Sequence, residues 1–422
     1  MILAHGTVLP DADLPALLDS LEDELNATRA NLTLEAETVV SAIDTLGRRL
    51  DSGALDHLIA QFAAPNMLDS LAQIRPALCR EALEDKLKTE LGPEALSPRP
   101  RPFGRARYLP LGILFHVTAG NVAGLPAFSA VEGLLTGNIN LLKLPREDKG
   151  LTLAILSQLT DQEPRLAPFL YAFDVPSSDT ATLKRLAALA DGLVVWGGDE
   201  AVRACRGLAP PGCKLMEWAH RLSFAYVAGY EDREAELTAL ARHIVRTGGL
   251  LCSSCQVIYL DTEDWDRAQA FCRDFLPILE GAAREGRSPG QAAEATLYSY
   301  ETLLEQAVDR RDFDDRFFPG RGCSITLRRD QELELSHLHG NVLVKCLPRR
   351  ALLPVLRRQK GRLQTAGLLC ARWDREALSA ILARAGVTRI TRAGHMSHTF
   401  PGEGHDGEYP LRRYVRVVDT ED

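Results

Sequence analysis

The chain has 422 residues, 45% of them hydrophobic, which is enough for two or three domains with sizeable cores. Its formal charge of -8, with Lys and Arg scattered among acidic residues, offers no basic face for a phosphate backbone, so nucleic-acid binding is excluded as the default. Nine irregularly spaced cysteines make no disulfide framework, Met1 to Gly6 lacks a signal-peptide pattern, and no run approaches the roughly 20 apolar residues of a membrane span, so a cytoplasmic protein without a membrane span, acting on small molecules, is expected.

Leucines and acidic residues at helical spacing predict consecutive amphipathic helices from Leu14 to Leu91, with breaks at Asp51-Ser52-Gly53 and Ala64-Pro65-Asn66. Pro93, Pro98, Pro100 and Pro102 then make a stiff connector, so residues 1–95 are taken as a helical N-terminal region. After it, short apolar strands alternate with helices: Leu111–Val117, a helix from Pro126, Ile139–Leu144, a helix from Gly150, Phe169–Phe173, a helix from Ser178 and Leu193–Trp196. This alternation predicts a doubly wound α/β domain over residues 96–226, with ligand loops beyond the strand ends at Thr118 to Asn121, Pro145 to Glu147 and Gly197 to Glu200. No Gly-x-Gly-x-x-Gly fingerprint stands at these ends.

A second α/β region is expected over residues 227–395, with a helix Glu231–Arg246 and strands at Cys323–Leu327, Val342–Leu347 and Ala366–Leu369. Between that helix and a strand beginning at Val257 lies Gly248-Gly249-Leu250-Leu251-Cys252-Ser253-Ser254-Cys255-Gln256. Two glycines permit close approach and two serines keep the surroundings polar, which suits a presented thiol; a core cysteine or a Cys-x-x-Cys metal or redox pair fits the same residues. Residues 396–422 close the chain with a Gly/His-rich loop and an apolar strand, Tyr414–Val418, expected to be an edge that pairs with another subunit.

Taken together, several of these segments resemble the aldehyde dehydrogenase superfamily, and more closely its acyl-CoA reductase branch, the LuxC-like fatty-acyl reductases of bacterial bioluminescence. Gly112 to His116 followed by Gly120-Asn121-Val122 resembles the family's strand and Pro-Gly-Asn-Val turn, with Thr118-Ala119 where a proline is usual. Gly137-Asn138 through Lys143-Leu144-Pro145 resembles its cofactor strand, and Val194 through Glu200 its strand-to-helix turn. Leu251-Cys252-Ser253-Ser254 is similar to the branch's nucleophile turn, and His405-Asp406-Gly407 with Tyr409-Pro410-Leu411 and Val415 to Asp419 to its C-terminal signature. Order and spacing strengthen the likeness: Lys143 follows Asn121 by 22 residues and Cys252 follows it by 131.

The resemblance implies an aldehyde-dehydrogenase-like fold of two doubly wound α/β domains, one for cofactor and one for catalysis, with the helical N-terminal region either completing the first or serving as a docking surface. It implies NADPH-dependent reduction of an acyl thioester to the aldehyde through a thioester on Cys252, with NADH as the alternative cofactor. Asn121 and the backbone N–H of Cys252 would face the oxyanion, although Asn121 also suits a left-handed turn. Lys143, Gly197 and Gly198 would contact the cofactor, and Arg146 would pair with a 2'-phosphate unless it only faces solvent. Glu217, 35 residues before Cys252, lies near the general base of hydrolytic relatives, yet Glu217-Trp218-Ala219-His220 replaces the glycines of their Glu-Leu-Gly-Gly pattern. His116, His220, His395 and His405 are the remaining titratable candidates; a lone histidine is more often structural and none is assigned as the catalytic acid, with His116 the best placed because it shares a strand end with Asn121. The helix face from Leu125 to Leu135 suits an acyl chain or, more simply, core packing. Implied partners are acyl-CoA or another acyl thioester, an acyl-protein synthetase or acyl carrier, and further copies of the chain in a homo-oligomer. The competing readings are a hydrolytic aldehyde dehydrogenase with Glu217 as base, and a non-catalytic subunit that binds a partner.

Overall fold

The structure is a computed structural model and describes residues 1–62, 75–93, 97, 99–101, 104–118, 124–308, 315–400 and 402–421. The chain divides into two compact units, residues 1–219 with 400–422, and residues 220–399.

Along the first unit run β1 (Ile2–Ala4), β2 (Thr7–Leu9), β3 (Arg99–Arg101), β4 (Gly104–Pro110), β5 (Ile113–Val117), β6 (Ile139–Lys143), β7 (Leu170–Phe173), β8 (Gly192–Gly197) and β9 (Lys214–Ala219). Seven of them form one sheet in the order β2-β1-β7-β6-β5-β8-β9, parallel from β7 to β9. The chain enters at β5, steps outward to β6 and β7, and returns past β5 to β8, so strand order reverses between β5 and β8. That reversal is where a doubly wound sheet opens a ligand crevice at its carboxyl edge. Both faces are covered, which explains the unbroken apolar runs: Phe115, Leu193 and Val195 enter one core, and Leu114, Val194 and Trp196 the other.

The N-terminal helices are not a separate layer. Leu14–Asn31 and Ala36–Asp51 bury Leu21, Leu25, Val39 and Ile43 in the same core as Phe115 and Leu141, each such side chain contributing roughly 1.5–3 kcal/mol of burial. The predicted break at Asp51 to Gly53 is where the second helix ends, while that at Ala64 to Asn66 lies outside the described residues. Helix Leu125–Leu135 is core as well, with Ala130, Val131, Leu134 and Leu135 buried. Its Gly133 lies so close to Asn140 of β6 that a Cβ would stand 1.8 Å from Oδ1.

The first nine residues depart from the all-helical expectation. His5 and Gly6 both take left-handed backbone (φ 54° and 74°), the two-residue turn that joins β1 to β2, and β1 pairs antiparallel with β7.

The second unit carries β10 (Leu222–Val227), β11 (Cys255–Leu260), β12 (Arg316–Gly320), β13 (Cys323–Arg328), β14 (Asn341–Cys346), β15 (Leu363–Leu369) and β16 (Arg389–Arg392), in the order β12-β13-β14-β11-β10-β15-β16. Successive residues face opposite cores: Phe224, Tyr226, Val257 and Tyr259 one, Ala225, Val227, Ile258 and Leu260 the other. Because β10 is the strand between β11 and β15, the units divide at Ala219/His220 rather than at 226/227.

The C-terminal strand is β17 (Val415–Thr420), at the edge of its sheet. It pairs antiparallel with β4 along the full register from Val415↔Pro110 to Thr420↔Arg105, within its own chain, in a three-stranded sheet β17-β4-β3.

Candidate active site

Helix Arg233–Thr247 stops at Gly248, whose N–H bonds Ile244 O at 3.0 Å, and Gly248 and Gly249 are both left-handed (φ 57° and 83°). A Cβ on Gly249 would also press on Leu338 and Ser336 at 3.0 and 3.2 Å. The glycine pair therefore turns the chain sharply toward β11. The turn that follows is bonded to itself: Ser254 N–H donates to Leu251 O at 2.9 Å, and Leu251 N–H to Ser254 Oγ at 3.0 Å. Ser223 of β10 donates its hydroxyl to Cys252 O at 2.6 Å while accepting from Thr365 N–H at 3.0 Å. Cys252 is thus carried on a braced turn at the amino edge of the second sheet.

All nine cysteines lie among the described residues, and Cys252 alone is exposed. Burial pushes the thiol of Cys205 up to about 11 and those of Cys255, Cys272 and Cys323 up to about 12, keeping them protonated at neutral pH. Cys255 is in the core with its thiol directed to Val257 O at 3.5 Å, so it does not share a surface with Cys252. No group of His, Cys, Asp and Glu able to hold a metal ion occurs among the described residues.

In the first unit, Lys143 ends β6 with its side chain buried and donates from Nζ to Ser177 Oγ at 3.0 Å. Burial lowers its pKa against the pull of Glu147 and Asp174. Arg146 is exposed on the 3-10 turn Arg146–Asp148. Gly197 and Gly198 lead from β8 into helix Asp199–Leu208, and nothing lies within 4 Å of a Cβ placed on Gly198. A ligand can approach the backbone there, at a helix N-terminus, although Asp199 and Glu200 in the first turn offset its positive end. This set fits a dinucleotide: cationic groups for ribose and phosphate oxygens, and an open helix terminus for the pyrophosphate, at the ends of β6 and β8 on either side of β5. Asn121 lies outside the described residues.

Two candidates are drawn into structural contacts. Glu217 lies on β9, where Arg206 takes up both of its oxygens, with Nη2 donating to Oε2 at 2.7 Å. His116, the best placed of the unassigned histidines, is fully buried. Its Nε2–H donates to Asn140 Oδ1 at 3.1 Å, so Nδ1 accepts from Ser129 Oγ at 2.7 Å, and Trp196 Nε1–H donates to the same Ser129 oxygen at 3.0 Å. Burial pushes its pKa down to about 4, with the Asn140 bond opposing, so the ring stays neutral and serves as a core strut. His405 packs edge-on against Trp196 and Trp218, at ring centroids 5.2 and 5.0 Å away, and His395 stacks on His398.

A family model described as acyl-CoA reductase (LuxC) matches residues 33–417. The chain belongs to the acyl-CoA reductase (LuxC) family. It is therefore an enzyme of the oxidoreductase class. The chain is 24% identical over 359 residues to long-chain acyl-protein thioester reductase 2 of Photobacterium leiognathi, covering 82% of this chain and 72% of that one. It is 25% identical over 321 residues to long-chain acyl-protein thioester reductase of Aliivibrio fischeri, covering 74% and 64%. Among solved structures, a putative methylmalonate-semialdehyde dehydrogenase from Sinorhizobium meliloti, complexed with NAD, superposes with TM-score 0.70 at 13% identity, over 99% of this chain and 91% of that one. That likeness shows the aldehyde-dehydrogenase fold.

Within this acyl-CoA reductase family chain, some contacts escaped the sequence reading. Asn138 is not a cofactor group: its Oδ1 accepts from Gly112 N–H at 2.8 Å and its Nδ2 donates to Tyr414 O at 2.9 Å, tying the starts of β5 and β6 to the C-terminal segment. Ser223 and His243 also stand against the turn that carries Cys252. The one signal for His243 was its place nine residues before Cys252, near the end of the helix that delivers the turn.

Proposed function

We propose that this chain reduces a fatty acyl thioester to the aldehyde, with NADPH as reductant and by way of a thioester on Cys252. The observation that carries this reading is the exposure of Cys252, alone among nine thiols, on a braced turn in an acyl-CoA reductase family chain. The Cys252 thiolate adds to the acyl carbonyl, expels the donor thiolate, which takes up a proton, and keeps the acyl group. Asn121 and the backbone N–H of Cys252 are the donors that the resemblance assigns to the oxyanion. Lys143, Arg146, Gly197 and Gly198 would hold NADPH, which when bound supplies a hydride. Collapse of the thiohemiacetal on Cys252 then releases the aldehyde and returns the thiolate.

The relatives' names support a long acyl chain, and a donor that is an acylated protein, such as a synthetase or carrier, beside acyl-CoA. The place of β17 at the edge of the sheet β17-β4-β3 supports self-association. The direct test is incubation with a long-chain acyl-CoA or acyl-protein and NADPH, which should yield one aldehyde per NADPH oxidised. Absence of oxidation with both donors would overturn the proposal.

Arg146→Glu is expected to lower kcat/KM for NADPH by roughly 10–100-fold, the worth of one charge-assisted contact, and to leave NADH nearly unchanged. Steady-state kinetics with both cofactors check this, and equal losses would remove Arg146 from the 2'-phosphate. Glu217→Gln separates reduction from hydrolysis. Because Arg206 holds Glu217, the lifetime of the acyl adduct in water should stay within about twofold of the parent enzyme, whereas loss of a general base would lengthen it roughly 100-fold.

A further inference from the structure

His243 is a buried titratable group that the mechanism above leaves unused. It lies on helix Arg233–Thr247, and one of its ring nitrogens meets the segment after Cys252 while the other meets Ser397, which contacts Ser253. Nε2 accepts the N–H of Cys255 at 3.3 Å. A nitrogen that accepts a backbone N–H carries no proton of its own, so the ring proton is on Nδ1, directed at Ser397 Oγ 3.4 Å away. Ser397 Oγ in turn accepts the hydroxyl of Ser253 at 3.2 Å. Thus one uncharged imidazole holds the residue after the thiol through Ser397, and the start of β11 directly.

Ser397 is itself held firmly. Its turn is closed by His398 N–H donating to His395 O at 3.0 Å, and Arg389 donates to the carbonyls of Met396 and His398. Gly394 packs so tightly on Ala239, of the same helix as His243, that a Cβ would lie 2.5 Å from it. The imidazole cannot serve as an acid at neutral pH: burial, then the charges of Arg246, His398 and Arg389, push its pKa down to about 3. What remains is geometry.

We propose that His243, acting through Ser397 and Cys255 N–H, is a positioning residue for the acylation step, holding the Cys252-Ser253 turn so that the thiol is presented to the acyl carbon. This rests on the reading of Cys252 as nucleophile. A displacement of an ångström in such a turn is enough to slow attack by about 100-fold.

The test is the single-turnover rate of acyl adduct formation with a long-chain acyl-CoA and no nicotinamide, followed by intact mass, together with melting temperature. Ser397→Ala removes a half-buried hydroxyl and should fold; its limiting acylation rate is expected to fall about tenfold, with half-saturation by acyl-CoA within about twofold and melting temperature unchanged. His243→Ala should lose about 100-fold, and His243→Gln, whose Oε1 can still accept Cys255 N–H, should recover most of the difference. Parent-like rates in Ser397→Ala and His243→Ala, or losses that follow half-saturation or melting temperature, would overturn the inference. An adduct that persists in Cys252→Ala would instead sink the nucleophile reading, and this inference with it.

Discussion

Replacement of Cys252 by alanine is expected to lower aldehyde formation by on the order of a thousandfold or more, because a reaction that needs a covalent acyl carrier has no second exposed thiol to use. Cys255, three residues on, is buried, and its thiol is held near 12 by desolvation. Cys205, Cys272 and Cys323 are likewise raised and enclosed. Since the Cys252 side chain is exposed while its carbonyl contact with Ser223 is a backbone one, the variant should melt with the parent protein. Aldehyde production in parallel with a thermal melt checks both points. Retention of a tenth of the activity would show that the acyl group is carried elsewhere.

Lys86→Met is expected to destabilise the first unit by roughly 3–5 kcal/mol, because it leaves two carboxylates buried without their cation. Lys86 Nζ lies 2.6 Å from Glu90 Oε1 and 2.9 Å from Glu132 Oε1, and the two glutamates are 0% and 2% exposed. Glu90 also accepts Leu411 N–H at 2.8 Å, so the cluster joins helix Arg80–Leu91, helix Leu125–Leu135 and the C-terminal segment. Burial works against the charge on Lys86, but Glu132 and Glu90 outweigh it and raise its pKa. A cation whose folded pKa is raised contributes stability below its unfolded value of about 10.4 and loses it only as alkaline pH passes the folded one. In the variant the sign is reversed. Burial already raises Glu90 despite Lys86, and without the lysine the folded state prefers a protonated Glu90 still more. The deficit should therefore be smaller at pH 5 than at pH 8. Adding Glu90→Gln and Glu132→Gln should return most of the stability. Thermal unfolding of the three proteins at both pH values decides it; a loss independent of pH and not restored by the glutamines would mean that Lys86 acts by packing alone.

The two doubly wound sheets were legible because their strands are buried on both faces, so Ile139–Lys143 and Cys255–Leu260 stand out as short apolar runs between helices. The N-terminal hairpin was missed although its signal was present: His5-Gly6 between two apolar triplets is a two-residue turn, obscured by the helical leucine pattern that follows. Strand β9 is hidden in the sequence because Glu217 and Trp218 stand in a stretch that resembles a motif, while their alternation along a strand is short. His116 illustrates a different limit. Its neighbours in sequence point to a strand end, yet its environment is set by Ser129 and Asn140, residues on a helix and an adjacent strand whose approach no local pattern states. The same holds for His243, whose meaning comes from Ser397, 154 residues away.

The measurement that bears most directly on a Cys252-thioester reductase is a chase of the isolated acyl-enzyme. Protein acylated by a long-chain acyl-CoA, freed of donor, is mixed with NADPH and followed by intact mass and aldehyde assay. The account predicts that the adduct on Cys252 disappears with one aldehyde formed and one NADPH consumed per acyl group. Release of free fatty acid at the same rate with or without NADPH would contradict it.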